Sequence, residues 1–112
     1  MAFESSDAQS SPHLKPLRVP QLRSGLFRTA KELISDLPGW TLVSEDEAGG
    51  VLVAERAARF LGGRARVTVR VEGEEGIPST TVRVASASQG GLLNHDKQNV
   101  VEFMKLFSRR VV

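Results

Sequence analysis

The chain has 112 residues, 40% of them hydrophobic and 25% charged, with a net charge of +2. That length suits one domain, which buries roughly 65% of its unfolded surface and so needs no disulfide or metal to hold its core. Cysteine is absent, which excludes disulfides, thiolate nucleophiles and Cys-ligated zinc; the small net charge is not that of a dedicated nucleic-acid binder, and no apolar run approaches the ~20 residues that span a bilayer.

Residues 1–11 are polar and serine-rich, a composition that predicts disorder. Glu4 and Asp7 among these serines do not make a signal peptide. The chain as it stands is expected to be soluble, with its compartment open: cytoplasmic, or exported if a leader has been removed. Pro12, Pro16 and Pro20 block a regular helix over the following stretch. Leu14, Leu17, Val19 and Leu22 nevertheless suit packing on the domain, so residues 1–23 read as a partly disordered arm and 24–112 as a single α+β domain.

Ser24 is placed to cap a helix over 25–37. Phe27, Ala30, Ile34 and Leu37 fall on one helical face, Leu33 widens it, and Pro38-Gly39 stops it. Four strands are predicted next: 40–45, 50–57 after an acidic loop ending in Gly49-Gly50, 64–72, and 79–88 after a Gly73–Pro78 turn. The third alternates Val67, Val69 and Val71 with Arg66, Thr68, Arg70 and Glu72, the pattern of a half-buried antiparallel strand. Asn94 is placed to cap a last helix, 95–110, with Val100, Phe103, Met104, Phe107 and Val111 as its inner stripe. Short connections favour a four-stranded antiparallel meander. Two amphipathic helices and one apolar sheet face then give a two-layer sandwich with both helices on that face. Phe27, Ile34, Trp40, Val69, Val84, Phe103 and Phe107 are its expected core.

Two places hold residues with chemistry. Arg66, Arg70 and Arg83 share the outward face of two adjacent predicted strands with Thr68 and Thr81 beside them. Planar guanidinium donors with hydroxyls suit a carboxylate, phosphate or sugar-acid ligand; the alternative is a solvated face paired to Glu55 and Glu72. RNA is not expected there, because Trp40 is the only aromatic on the strands. Ser86 and Ser88 end the last strand, with His95 and Asp96 following. A serine nucleophile needs a base in reach, and His95 is the nearest in sequence, but the Gly-x-Ser-x-Gly elbow is missing. The alternative is that these small hydroxyls fit tight helix–sheet packing. His13 and His95 lie far apart with no recurring ligand spacing, so no metal site is expected. Gly90-Gly91 lacks the Lys-Ser/Thr of a nucleotide loop and reads as a tight turn; no cofactor is indicated.

The order Arg83, Ser86, Ala87, Ser88, Gly91 and a helix resembles DUF1499, a bacterial domain of unknown function. So do Ser10-Ser11-Pro12-His13-Leu14-Lys15-Pro16-Leu17 and Pro38-Gly39-Trp40. Gln89, Asn94 and Asp96 depart from the Arg, Asp and Gly usual in that family. The resemblance spans nearly the whole chain and implies no activity. The expected function is a non-enzymatic binding or accessory module for a small anion, monomeric or a weak homo-oligomer. The alternatives are a small Ser/His hydrolase on Ser86 or Ser88 with His95, and a homo-oligomeric structural domain paired through a strand edge.

Overall fold

The computed structural model describes residues 2–4, 16–57, 64–74, 76–89 and 96–111. Its elements run β1 (Ala2–Glu4), β2 (Leu17–Val19), α1 (Arg23–Asp36), β3 (Trp40–Asp46), β4 (Val51–Ala57), β5 (Arg64–Gly73), β6 (Thr80–Gln89) and α2 (Asp96–Val111). The class is α+β, with two helices and an antiparallel sheet.

The central meander β3–β4–β5–β6 follows the alternation read from the sequence, with every neighbour antiparallel. The strand count differs. The predicted four-stranded sheet is six-stranded among the described residues, because β1 and β2 both pair with the far edge of β6, β1 against Ala85–Ala87 and β2 against Thr80–Val82. An uncovered β6 would present a row of open N–H and C=O groups, and these short pieces of arm cover it. Ala2–Glu4 is therefore strand where composition predicted disorder. Three-residue strands are too short to show a period, and the flanking Pro16 and Pro20 limit β2.

Alternation fixes what faces inward. Leu52 and Ala54 on β4, Val67, Val69 and Val71 on β5, and Val82 and Val84 on β6 are all buried. Onto them pack Leu26, Phe27, Ala30, Leu33 and Ile34 of α1 and Val100, Phe103, Met104, Phe107 and Val111 of α2, in one continuous core. Phe103 stacks on Phe107 at 5.6 Å between ring centroids and meets Trp40 at 6.1 Å. Each of the seven residues expected in the core is buried.

Two local expectations change. α1 starts one residue before Ser24, with Leu22 as its N-cap and no side-chain cap bond. Within the arm Val19 is buried and Leu17 half-buried, but Leu22 is 45% exposed. The arm is held instead by polar bonds: Thr80 Oγ1 donates to the Gln21 carbonyl (2.8 Å), and Gln21 Nε2 donates to the Val111 carbonyl (2.7 Å). Gln21 thus links β6 to the C-terminal end of α2. The Arg110–Asp36 ion pair (2.9 Å) joins the two helices. Gly50 is demanded by geometry: its φ is +70°, and a Cβ would sit 2.3 Å from the Val71 carbonyl oxygen. The predicted Asn94 cap and the Gly90-Gly91 turn lie outside the described residues.

Phe107 is fully buried between the sheet and its own helix. Phe107→Ala is expected to lose about 3–5 kcal/mol, from transfer and cavity contributions together. Urea unfolding of the two proteins measures this directly, as a lower midpoint at similar slope.

Candidate functional site

The sheet face opposite the helices is built from the other half of each alternation. Along β5 it carries Arg64, Arg66, Thr68, Arg70 and Glu72, and along β6 Thr81, Arg83, Ala85 and Ala87. Register sets these in rows: Glu72 beside Thr81, Arg70 beside Arg83, Thr68 beside Ala85, Arg66 beside Ala87. β4 extends the rows with Val51 beside Arg70, Val53 beside Thr68 and Glu55 beside Arg66.

The five residues expected to hold an anion therefore share one face, but they do not converge on one point. Arg70 and Arg83 are direct cross-strand partners, with Thr68 one row to one side and Thr81 one row to the other. Arg66 stands four residues from Arg70, which is about 13 Å along an extended strand. The candidate site is the Arg70–Arg83 pair and its threonines, with Arg66 as a separate positive centre.

Counter-charges are present. Arg83 Nε donates to Glu72 Oε1 at 2.6 Å, Arg64 approaches Glu55 at 3.5 Å, and Arg66 approaches the same carboxylate at 4.0 Å. All of these are solvent-exposed or half-exposed pairs, each of small energy. Arg70 forms no ion pair with a described residue. Like charges directly opposite across a ladder destabilise it, and Arg70–Arg83 is such a pair.

Ser86 has a different setting. It faces inward, is 1% exposed, and its Oγ accepts a hydrogen bond from Asn99 Nδ2 at 3.1 Å. Burial this deep limits the approach of a substrate to the hydroxyl. The side chain of Ser88 and all of His95 lie outside the described residues.

Asn99 belongs to a polar group that sequence reasoning missed. Arg56 Nη1 donates to Asn99 Oδ1 at 2.8 Å and also to Glu102 Oε2, while its guanidinium lies 5.6 Å from the Trp40 ring centroid. That distance is within cation–π range. The Trp40 indole Nε1 is buried without a hydrogen-bond partner among the described residues. One signal for this group was available: Asn99 stands four residues before Phe103, on the apolar stripe of α2, where a polar residue calls for a partner. The hydrogen bonds of Arg56, Asn99, Glu102 and Ser86 join β4, β6 and α2.

An open cleft of about 400 Å³ lies at the other end of the sheet, lined by Leu22, Arg23, Ser24, Phe27, Glu47, Ala48 and Gly76. Arg23 Nη1 donates to the Ala48 carbonyl across it at 3.1 Å, tying the β3–β4 turn to the start of α1. Among the described residues no group of three or more His, Asp or Glu is placed to hold a metal, and no helix is long and apolar enough to cross a membrane.

No family model matches the chain and no curated protein matches it in sequence, so the DUF1499-like order rests on its own residues. The fold does have solved counterparts. The chain is similar to Ara h 8.0201, with a TM-score of 0.57 at 12% identity, covering 98% of this chain and 98% of that one. A putative uncharacterized protein from Bacillus thuringiensis aligns with a TM-score of 0.42 at 8% identity over 99% of this chain and 93% of its own, too distant to argue from. At 12% identity the likeness to Ara h 8.0201 is one of fold.

Two outcomes test this description. Arg70→Gln is expected to raise stability by about 0.2–1 kcal/mol by removing the repulsion on Arg83, and the gain should shrink in high salt as screening takes over. Equilibrium unfolding at low and high salt reads both. Asn99→Ala should lose about 1–3 kcal/mol, because it strips Ser86 and Arg56 of a buried partner; the same unfolding experiment measures it.

Proposed function

We propose that this chain is a non-enzymatic, DUF1499-like binding or accessory module whose outer sheet face holds an anionic group. The observation that carries the reading is the direct opposition of Arg70 and Arg83 between Thr68 and Thr81. A single oxyanion between two guanidiniums relieves their repulsion and gains charge-assisted hydrogen bonds. Arg83 remains competent although it bonds Glu72, because that bond uses Nε and a guanidinium carries five N–H donors. Absence of aromatic residues from these rows weighs against stacked bases as the ligand.

The burial of Ser86 weighs against the hydrolase alternative. Pairing of two copies through the open edge is disfavoured at β3, where a register shift between Leu42 and Ser44 and the charges of Glu45 and Asp46 interrupt the edge. Bulges and charges are the usual protection of an edge strand.

Titrating phosphate, citrate and a uronic acid while following backbone amides tests the reading. Salt-sensitive shifts centred on Thr68, Arg70, Thr81 and Arg83 at millimolar ligand are expected, and Arg70→Gln should raise the apparent Kd roughly two- to fivefold. A flat response at that concentration would leave these arginines as a solvated face paired to Glu55 and Glu72.

A further inference from the structure

The rows of the outer face carry more than one anion site. Between the Arg70–Arg83 row and the Arg66 row lies a row that carries no charge on β4 to β6: Ala85, Thr68 and Val53, with Val51 at its border; in register it ends at Glu4 of β1, beside Ala85. Ala85, Thr68, Val53 and Val51 are half-buried, so they form a low floor between raised arginines. On β4 to β6 this face sets Arg64, Arg66, Arg70 and Arg83 against Glu55 and Glu72, an excess of positive charge. Positive centres about 13 Å apart cannot be bridged by one small anion.

We infer that the natural ligand is an extended acidic peptide lying along β5, with an acidic residue over Arg70–Arg83, a small apolar residue over the floor, and a second acidic residue over Arg66. The inference rests on the anion-binding reading and specifies its ligand. The match is one of period. Successive same-face residues of an extended peptide are about 6.7 Å apart, so positions i, i+2 and i+4 meet three successive rows of the sheet face. Charge complementarity selects acid, apolar, acid in that order. Face-on docking also leaves the backbone hydrogen bonds of β5 and β6 intact, which a strand-insertion mode would not.

The probe is the blocked heptapeptide Thr-Glu-Thr-Val-Thr-Glu-Thr, compared with Thr-Thr-Val-Thr-Glu-Glu-Thr, which has the same composition and charge but adjacent acids. Both are titrated into the full chain at low and high salt while amide shifts are followed, beside inorganic phosphate and an oligothymidylate. The patterned peptide should bind several-fold more tightly than its isomer, with shifts along residues 64–70 and 83–87. Arg66→Gln and Arg70→Gln should each raise its Kd roughly two- to fivefold, the size of an exposed charge pair. Arg66→Gln should leave phosphate shifts at Arg70 and Arg83 unchanged. Equal binding of the two peptides, with phosphate still shifting Arg70 and Arg83, would overturn the peptide assignment and keep the anion site. Silence from phosphate and peptides alike would overturn both. Tighter binding of the oligothymidylate than of the patterned peptide would overturn the peptide in favour of a nucleic-acid backbone.

Discussion

The ladder between β5 and β6 is the constraint on which the rest depends. It pairs ten residues with ten, from Arg64 beside Gln89 to Gly73 beside Thr80, without a register shift. Because successive side chains point to opposite faces, that one register decides both surfaces of the sheet at once. It lines up Val67, Val69, Val71, Val82 and Val84 beneath the helices, and with the same stroke sets Arg70 against Arg83 on the other side. A slip of one residue would put the valines in water and the arginines in the core. The penalty for burying guanidiniums without partners makes such a slip prohibitive, so core and candidate site are specified together.

What keeps that ladder intact lies at its edges. On one side β4 continues the sheet; on the other, two three-residue strands of the arm cover β6. Neither is stable alone, since three residues of pairing cannot offset the entropy of ordering them. Val19 contributes burial, and Gln21 contributes the bonds to Thr80 and Val111 that lock arm, sheet and last helix together. These described pieces of the arm are thus part of the fold, and Gln21 ties β2 to the docked α2.

The legible part of this chain was the part with a period. Alternating valines and arginines over 64–72 fixed β5, and the stripe Val100, Phe103, Met104, Phe107 fixed the inner face of α2, because burial repeats every second residue in one case and about every 3.6 in the other. Features carried by single residues did not show. Ser24 has the side chain of a cap, but the helix turns in two residues earlier on Leu22, whose extended backbone serves without a side-chain acceptor. β1 and β2 escaped notice because their pairing is non-local: nothing in Ala2–Glu4 or Leu17–Val19 announces a partner at Thr80–Ala87. The outward arginines could be assigned to a face from alternation alone, but their separation into a facing pair and a distant third required the cross-strand register.

That separation bears on what the face can bind. Exposed charge pairs are each worth about 0.2–1 kcal/mol, and Glu55 and Glu72 already neutralise part of the positive charge. A lone small anion between Arg70 and Arg83 therefore gains little beyond the relief of their mutual repulsion, and a millimolar Kd, equivalent to about −4 kcal/mol, is the natural scale. The repulsion itself is no threat to a domain whose stability is of order 5–15 kcal/mol, so it does not by itself call for a resident counter-ion. Affinity beyond that scale has to come from contacts at several rows joined by one ligand, where the second contact is made at the high effective concentration set by the first. The face supplies those rows in fixed order on a sheet that does not need to move, which lowers the ordering penalty on the protein's side and leaves it with the ligand.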